Sequence, residues 1–143
     1  MNLIYRDIVQ GMPAMIDALR LKPSPTVAMA AKLARNARKM QAALQDYQTA
    51  EGVLIDGLRD ELGLGEGEAS DDFTRRAQEL REELLEEPIE VDVRQIGLSD
   101  LLRCEEVRPA FEMPTAILFD LSFMFNMEEE VADADEQAEQ PVV

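Results

Sequence analysis

A mainly α-helical chain is what this sequence predicts: a coiled-coil-like long-helix hairpin, then a small α+β unit, then an acidic C-terminal tail. Three observations carry that reading. Positions 30, 33, 37, 40, 44, 47, 51, 54 and 58 step by three and four, and hold Ala30, Leu33, Ala37, Met40, Leu44, Tyr47, Glu51, Leu54 and Leu58. Only Glu51 is not apolar, which is the pattern of a helical seam. Ile89-Glu90-Val91-Asp92-Val93-Arg94 alternates apolar and charged residues, the pattern of a half-buried strand. The 143 residues carry 30 acids against 14 bases, a net charge of −16, yet 46% are hydrophobic, enough to build a core.

The first element is expected over residues 7–20, where Ile8, Met12, Met15, Ile16 and Leu19 form one stripe. Gly11 and Pro13 inside it predict a kink or a late start near Met12. Lys22-Pro23-Ser24-Pro25 breaks the chain. Ser24 is the expected cap of the second helix, with Pro25 in its first turn. That helix should stop near Leu62-Gly63, giving it a length of about 50 Å. Leu33, Met40, Leu44 and Leu54 are its expected core residues. Glu51 interrupts the seam and marks where a partner helix ends or specifies register; the first reading is preferred, since Gly52 and Gly57 follow.

Residues 63–68 read as a flexible acidic linker. A phosphate-binding glycine loop is a poor fit, because the segment follows a helix, lacks Lys and carries acids that repel phosphate. Ser70, Asp71 and Asp72 start a third helix, placing negative charge at its positive end. Phe73, Ala77, Leu80 and Leu84 are its stripe, Pro88 ends it, and antiparallel packing on the long helix completes the hairpin. The strand at 89–94 needs a partner, either residues 104–108, with a short capped helical turn at 98–102 between them, or a strand of another subunit. Pro114 opens a helix expected to run from Thr115 to Asn126, apolar nearly all round. The organisation is then a helical hairpin at 1–87, a strand-plus-helix unit packed on it at 88–127, and a tail at 128–143.

Composition removes most chemistries. Without His the chain lacks the usual general base, zinc ligand and near-neutral pH switch. One Cys excludes an internal disulfide or thiolate cluster and suits a reducing compartment. No Trp and 5% aromatics argue against a base-stacking surface. Asp120, between Phe119 and Leu121, is the one acid in an apolar stretch, and capping or solvent exposure explains it as well as catalysis does. Cys104 beside Glu105 and Glu106 is disfavoured as thiolate. Asp133, Asp135 and Glu136 lack the glycine and the closing Glu of a calcium loop. No catalytic, cofactor-binding or metal-ligating set is expected, no apolar run spans a bilayer, and the chain reads as a non-enzyme.

The candidate residues are therefore interaction residues. Lys32, Arg35, Arg38 and Lys39 share one broad helix face, the one basic patch. It reads as a solvated face or a dock for the acidic half rather than a direct nucleic-acid contact, since the overall field repels polyanions. Residues 1–65 hold eight bases and seven acids, whereas 66–143 hold six and 23. Glu128, Glu129 and Glu130 open a terminal block of seven acids without a base. On the expected last helix, Leu118, Leu121 and Phe125 should face the core. Phe119 and Phe123, at spacing four, should remain exposed for a partner.

Ile8-Val9-Gln10-Gly11-Met12-Pro13, Leu21-Lys22-Pro23, Leu44-Gln45-Asp46-Tyr47, Glu87-Pro88-Ile89-Glu90-Val91 and Ile96-Gly97-Leu98-Ser99-Asp100-Leu101 follow in that order. Over about residues 5–125 the chain resembles a family of small helical proteins of tailed bacteriophages and prophages. The resemblance implies a helical hairpin followed by a strand-containing unit, a phage setting and no assigned enzyme activity. The expected role is a virion structural or assembly component that forms a homo-oligomer or docks on another phage protein. The alternative is an acidic polyanion mimic that inhibits a host nucleic-acid-binding protein. Either places it in the host cytoplasm, the first with incorporation into the virion, and neither involves a membrane.

Overall fold

In the computed structural model, which describes residues 2–126, the order is β1 (Asn2–Ile4), α1 (Tyr5–Leu19), α2 (Val27–Leu62), α3 (Asp71–Leu85), β2 (Pro88–Glu90), β3 (Ile96–Gly97), α4 (Leu98–Val107), α5 (Thr115–Asp120) and β4 (Phe125–Asn126). The fold is mainly helical with a small strand component, as the seam and the alternating stretch predict. α1 starts at Tyr5, well before Met12, and runs on through Pro13, which faces solvent. Its start is tied by the Asp7 carboxylate, which accepts from the Ile4 amide at 3.0 Å.

α2 is 36 residues long, about 54 Å at 1.5 Å per residue. Thr26, not Ser24, caps it: its hydroxyl accepts from the Met29 amide at 3.3 Å. Gly63 stops it at φ 68°, in the left-handed region that favours glycine. The Leu64 amide then reaches back to the Arg59 carbonyl at 2.9 Å. Ser70 caps α3 as expected, accepting from the Phe73 amide at 3.1 Å.

Two cores lie along α2. The first half packs on α1, β1, the 91–96 segment, α4, α5 and the final turn, through Leu33, Ala37, Met40, Ile8, Met15, Val91, Val93, Ile96, Leu121 and Met124 among others. The second half packs on α3 alone, through Leu58, Phe73 and Ala77, with Ile55, Leu62, Leu64 and Leu80 at the edge. Leu33 and Met40 are buried as expected, Leu44 is half-buried, and Leu54 is 37% exposed. The reason is rotational drift: a straight helix turns away from a seven-residue repeat by about 20° per heptad, so the side facing inward at Leu33 has moved about 60° by Leu54. Ile55 takes the inward place. Ala30 is exposed for a related reason, since Met29 and Leu33 define the packed side there.

The strand pairing differs from expectation. Residues 104–108 belong largely to α4, and β2 pairs instead antiparallel with β1, in the register Asn2↔Glu90, Leu3↔Ile89, Ile4↔Pro88. The extended strand also stops at Glu90, although Val91 and Val93 continue to bury themselves. A second, parallel pair joins Ile96↔Phe125 and Gly97↔Asn126. The helix expected over 115–126 therefore ends at Asp120, the chain turns, and residues 125–126 are strand. The acidic block at 128–143, with Glu128, Glu129 and Glu130, lies outside the described residues.

Candidate interaction surface

Polar contacts that sequence patterns do not advertise hold the base of α2. Asn36 is fully buried and satisfied on every side. Its Oδ1 accepts from the Arg94 amide at 2.7 Å, and its Nδ2 donates to the Arg94 carbonyl at 2.9 Å and to Met124 Sδ at 3.5 Å. One side chain thereby fastens the Arg94 backbone to the helix, between the buried Val93 and Ile96, and a buried amide so placed is costly to disturb. Lys32 Nζ bonds both oxygens of Asp100 at 2.9 and 3.0 Å, while Asp100 also accepts from the Gly97 amide at 3.0 Å at the start of α4. Of the four bases, Lys32 thus serves the fold. Arg35, Arg38 and Lys39 are exposed, and no ion pair engages them among the described residues.

The aromatic pair divides. Phe119 is 78% exposed, whereas Phe123 is half-buried and packs against the main core. The spacing-four argument fails because the helix ends at Asp120, so residues 119 and 123 do not share a helix face. Gly11 explains where Phe123 goes. A Cβ at Gly11 would stand 3.2 Å from Phe123 Cε1 and Leu121 Cδ2, and 3.3 Å from Met40 Cε, so the missing side chain lets three elements meet. Leu121 and Phe125 are buried and Leu118 half-buried, as the expected inward side requires. Phe119 instead rims a shallow concavity with Asp7, Gln10, Asp120, Ser122 and Phe123. Asp120 is exposed there, and Asp7 is committed to the Ile4 amide, so no acid pair in an apolar setting exists at this spot. Cys104 is buried with its Sγ 3.2 Å from Thr26 Oγ1, beside the α2 cap.

Where the two cores meet, the contacts become aromatic and charged. Tyr47 packs on Tyr5 with ring centroids 5.6 Å apart and donates to Glu51 Oε2 at 3.1 Å. Glu51 also faces Arg81 of α3 at 3.5 Å. The polar seam position therefore lies where α2 exchanges one partner, α1, for another, α3. Burial, then the Glu51 carboxylate, pushes the Tyr47 phenol above its ordinary range; burial, then Asp46 and Glu87, does the same to Tyr5. Arg6 spans the same junction, bonding Glu82 and Glu86 at 2.9 Å each. These two acids keep its guanidinium more firmly charged than usual.

At the far end of the arm, Arg59 lies 4.4 Å from the centroid of the Phe73 ring and donates to the carbonyls of Gly65 and Glu68. The 63–68 loop is thus pinned by specific bonds rather than acting as a simple spacer. The outward side of the arm carries Ala50, Val53, Leu54 and Gly57 at helical spacing, with Val53 68% exposed. Sequence reasoning placed Leu54 in the core and gave Val53 no role; only the rotation of the seam reveals the two as neighbours on the surface. Leu102 and Val107 on α4 are further exposed apolar residues.

Among the described residues no group of three acids or thiols converges as a metal site, and no helix is long and apolar enough to cross a membrane. No family model matches the chain, and neither the curated proteins nor the solved structures yield a match.

Proposed function

We propose that this protein works through protein–protein contact rather than catalysis, as a bacteriophage virion or assembly component that self-associates or docks on another phage protein through its long helix. The observation that supports this reading is the outward side of the arm. There α2 runs past the main core carrying Val53 and Leu54 in the open, flanked by Ala50 and Gly57, whose small side chains let another helix approach. Asp46, Asp56 and Asp60 surround them, giving an apolar centre with a charged rim. Light scattering on the eluted full-length chain tests it. The wild type should elute as a multimer or co-purify with particles, and Val53→Asp should lose that association with helix content intact. A monomeric wild type absent from purified particles would sink the proposal.

One observation favours a second reading, the acidic inhibitor. α3 exposes Asp71, Asp72, Glu79, Glu82 and Glu83 to solvent, with Glu86 and Glu87 just beyond its end, an acid-rich side in which Arg75 pairs with Asp72 and Glu79 and Arg6 with Glu82 and Glu86. If that surface mimics a polyanion, binding to a basic nucleic-acid-binding protein should weaken steeply with salt and compete with DNA. Salt-insensitive binding would remove it.

A further inference from the structure

We propose that the acidic C-terminal segment, residues 128–143, docks in cis on the outward basic face of α2 formed by Arg35, Arg38 and Lys39. The inference rests on the charge map and on where the described chain ends, and does not depend on either reading of the partner.

Charge comes first. All 14 bases precede residue 128, together with 23 of the 30 acids, so the body carries a net −9 while the segment adds seven acids and no base. Most of that body repels the segment. Five of its 14 bases are in ion pairs among the described residues: Arg6 with Glu82 and Glu86, Lys32 with Asp100, Arg75 with Asp72 and Glu79, Arg76 with Glu61, Arg81 with Glu51. A sixth, Arg59, is held by the Gly65 and Glu68 carbonyls and the Phe73 ring. Arg20 and Lys22 form only a pair, and Arg94, Arg103 and Arg108 lie five or more residues from any other base. Only on α2 do three exposed bases without an ion pair among the described residues fall within five residues. At about 100° per residue, Arg35, Arg38 and Lys39 lie within one third of the helix circumference, opposite buried Leu33 and Met40. Ala28, Ala31 and Ala42 share that side and keep it low, so an approaching chain meets the charges without a steric barrier.

Position comes second. The last described residue, Asn126, is paired with Gly97. Two residues earlier, the Met124 carbonyl accepts from the Ile96 amide at 2.7 Å, and Arg94 is clasped by Asn36 of α2. The described chain therefore ends close to the turn of α2 that holds Asn36, about 100° around the helix from Arg35, so the segment reaches the basic face by passing around α2. Seventeen residues extend at most about 55 Å, so reach does not limit the contact. A short tether holds the acids at an effective concentration in the millimolar range, well above what a second copy offers at micromolar protein. Exposed single ion pairs are weak, so several must act together and the contact must fade as salt rises. The fold already contains the same arrangement once: Asp100, also from the C-terminal half, sits on Lys32 of this helix.

Lysine scarcity makes the test clean, since the chain has only Lys22, Lys32 and Lys39. Full-length protein, mixed half unlabelled and half nitrogen-15 labelled at micromolar concentration, is treated with a zero-length carbodiimide and mapped by mass spectrometry. The expected product joins Lys39 to an acid between Glu128 and Glu139, with both halves carrying the same isotope. Its yield should fall severalfold in half-molar salt and in Arg35→Glu/Arg38→Glu, whose exposed positions leave the fold intact by circular dichroism. Mixed-isotope links in statistical proportion would assign the face to a second copy's tail and overturn the proposal. So would absence of any Lys39 link to this segment, or a yield indifferent to both salt and charge reversal.

Discussion

The two halves of the long helix are one element in sequence and two situations in physics. Its first half is enclosed by α1, the 91–96 segment, α4, α5 and the closing turn, elements far apart along the chain. Its second half leans on α3 alone, a neighbour reached by a short loop, and the core between them has three buried residues, Leu58 of α2 and Phe73 and Ala77 of α3. The difference teaches that one apolar seam does not imply one kind of stability. Near Leu33 the helix is held by tertiary enclosure; near Leu58 it is held by a hairpin, caps and side-chain pairs. Local openings should therefore begin in the arm.

The largest effect that tests this contrast is cavity formation at the enclosed end. Leu33→Ala should cost about 2–5 kcal/mol and lower the midpoint of denaturant unfolding across all probes, because it opens a cavity where the side chain is 1% exposed. Asn36→Ala follows, at about 1–3 kcal/mol, since it strips the Arg94 amide and carbonyl of their partner. Gly11→Val should cost a comparable amount, about 1–3 kcal/mol, by forcing Leu121, Phe123 and Met40 apart. In the arm, Leu58→Ala should behave differently. Hydrogen exchange should rise over residues 53–80 while α1 keeps its protection; uniform loosening of both regions would show that the two cores unfold as one.

The junction gives the smallest and most specific signal. Both tyrosines should ionise above the ordinary phenol range in an absorbance titration, and they are the only two in the chain. The sign follows from linkage. A phenol whose pKa is raised by folding contributes stability that is complete below the unfolded value, about 10, and is lost as pH climbs through the folded one. Glu51→Gln should move the Tyr47 titration back toward ordinary and leave Tyr5 unchanged; an unmoved Tyr47 would mean that burial alone sets it.

What could be read from the residues alone was whatever short-range chemistry decides. Gly63 as a stop, Ser70 as a cap and Pro88 as a terminator act within a turn of where they stand, and all three appear as expected. Phe119 was legible as exposed, and Lys32 through Lys39 as one face. The strand partners were not, because Asn2–Ile4 is three residues long, too short to show any alternation. Phe123 was misplaced for the same kind of reason: a two-residue pairing with Ile96–Gly97 ends a helix whose composition would have carried it further. Leu54 failed on geometry, since a seam drawn at seven-residue intervals ignores the drift of a straight helix.

The pairing of Phe125 and Asn126 with Ile96 and Gly97 has a consequence for how the chain is made. On a ribosome the N-terminus emerges first, so α1 and the whole arm are in solution before residues 117–125 exist. Met12 and Met15 of α1 must then wait, uncovered on the side that Ile117, Leu121 and Met124 will close, while the arm can assemble from neighbours already present. The more weakly enclosed region is thus the earlier to form, and the tighter one is sealed by the last residues synthesised before the acidic block. A premature stop anywhere between Val107 and Leu121 would release a chain with an intact hairpin and an open core, a product prone to aggregate rather than a smaller working protein.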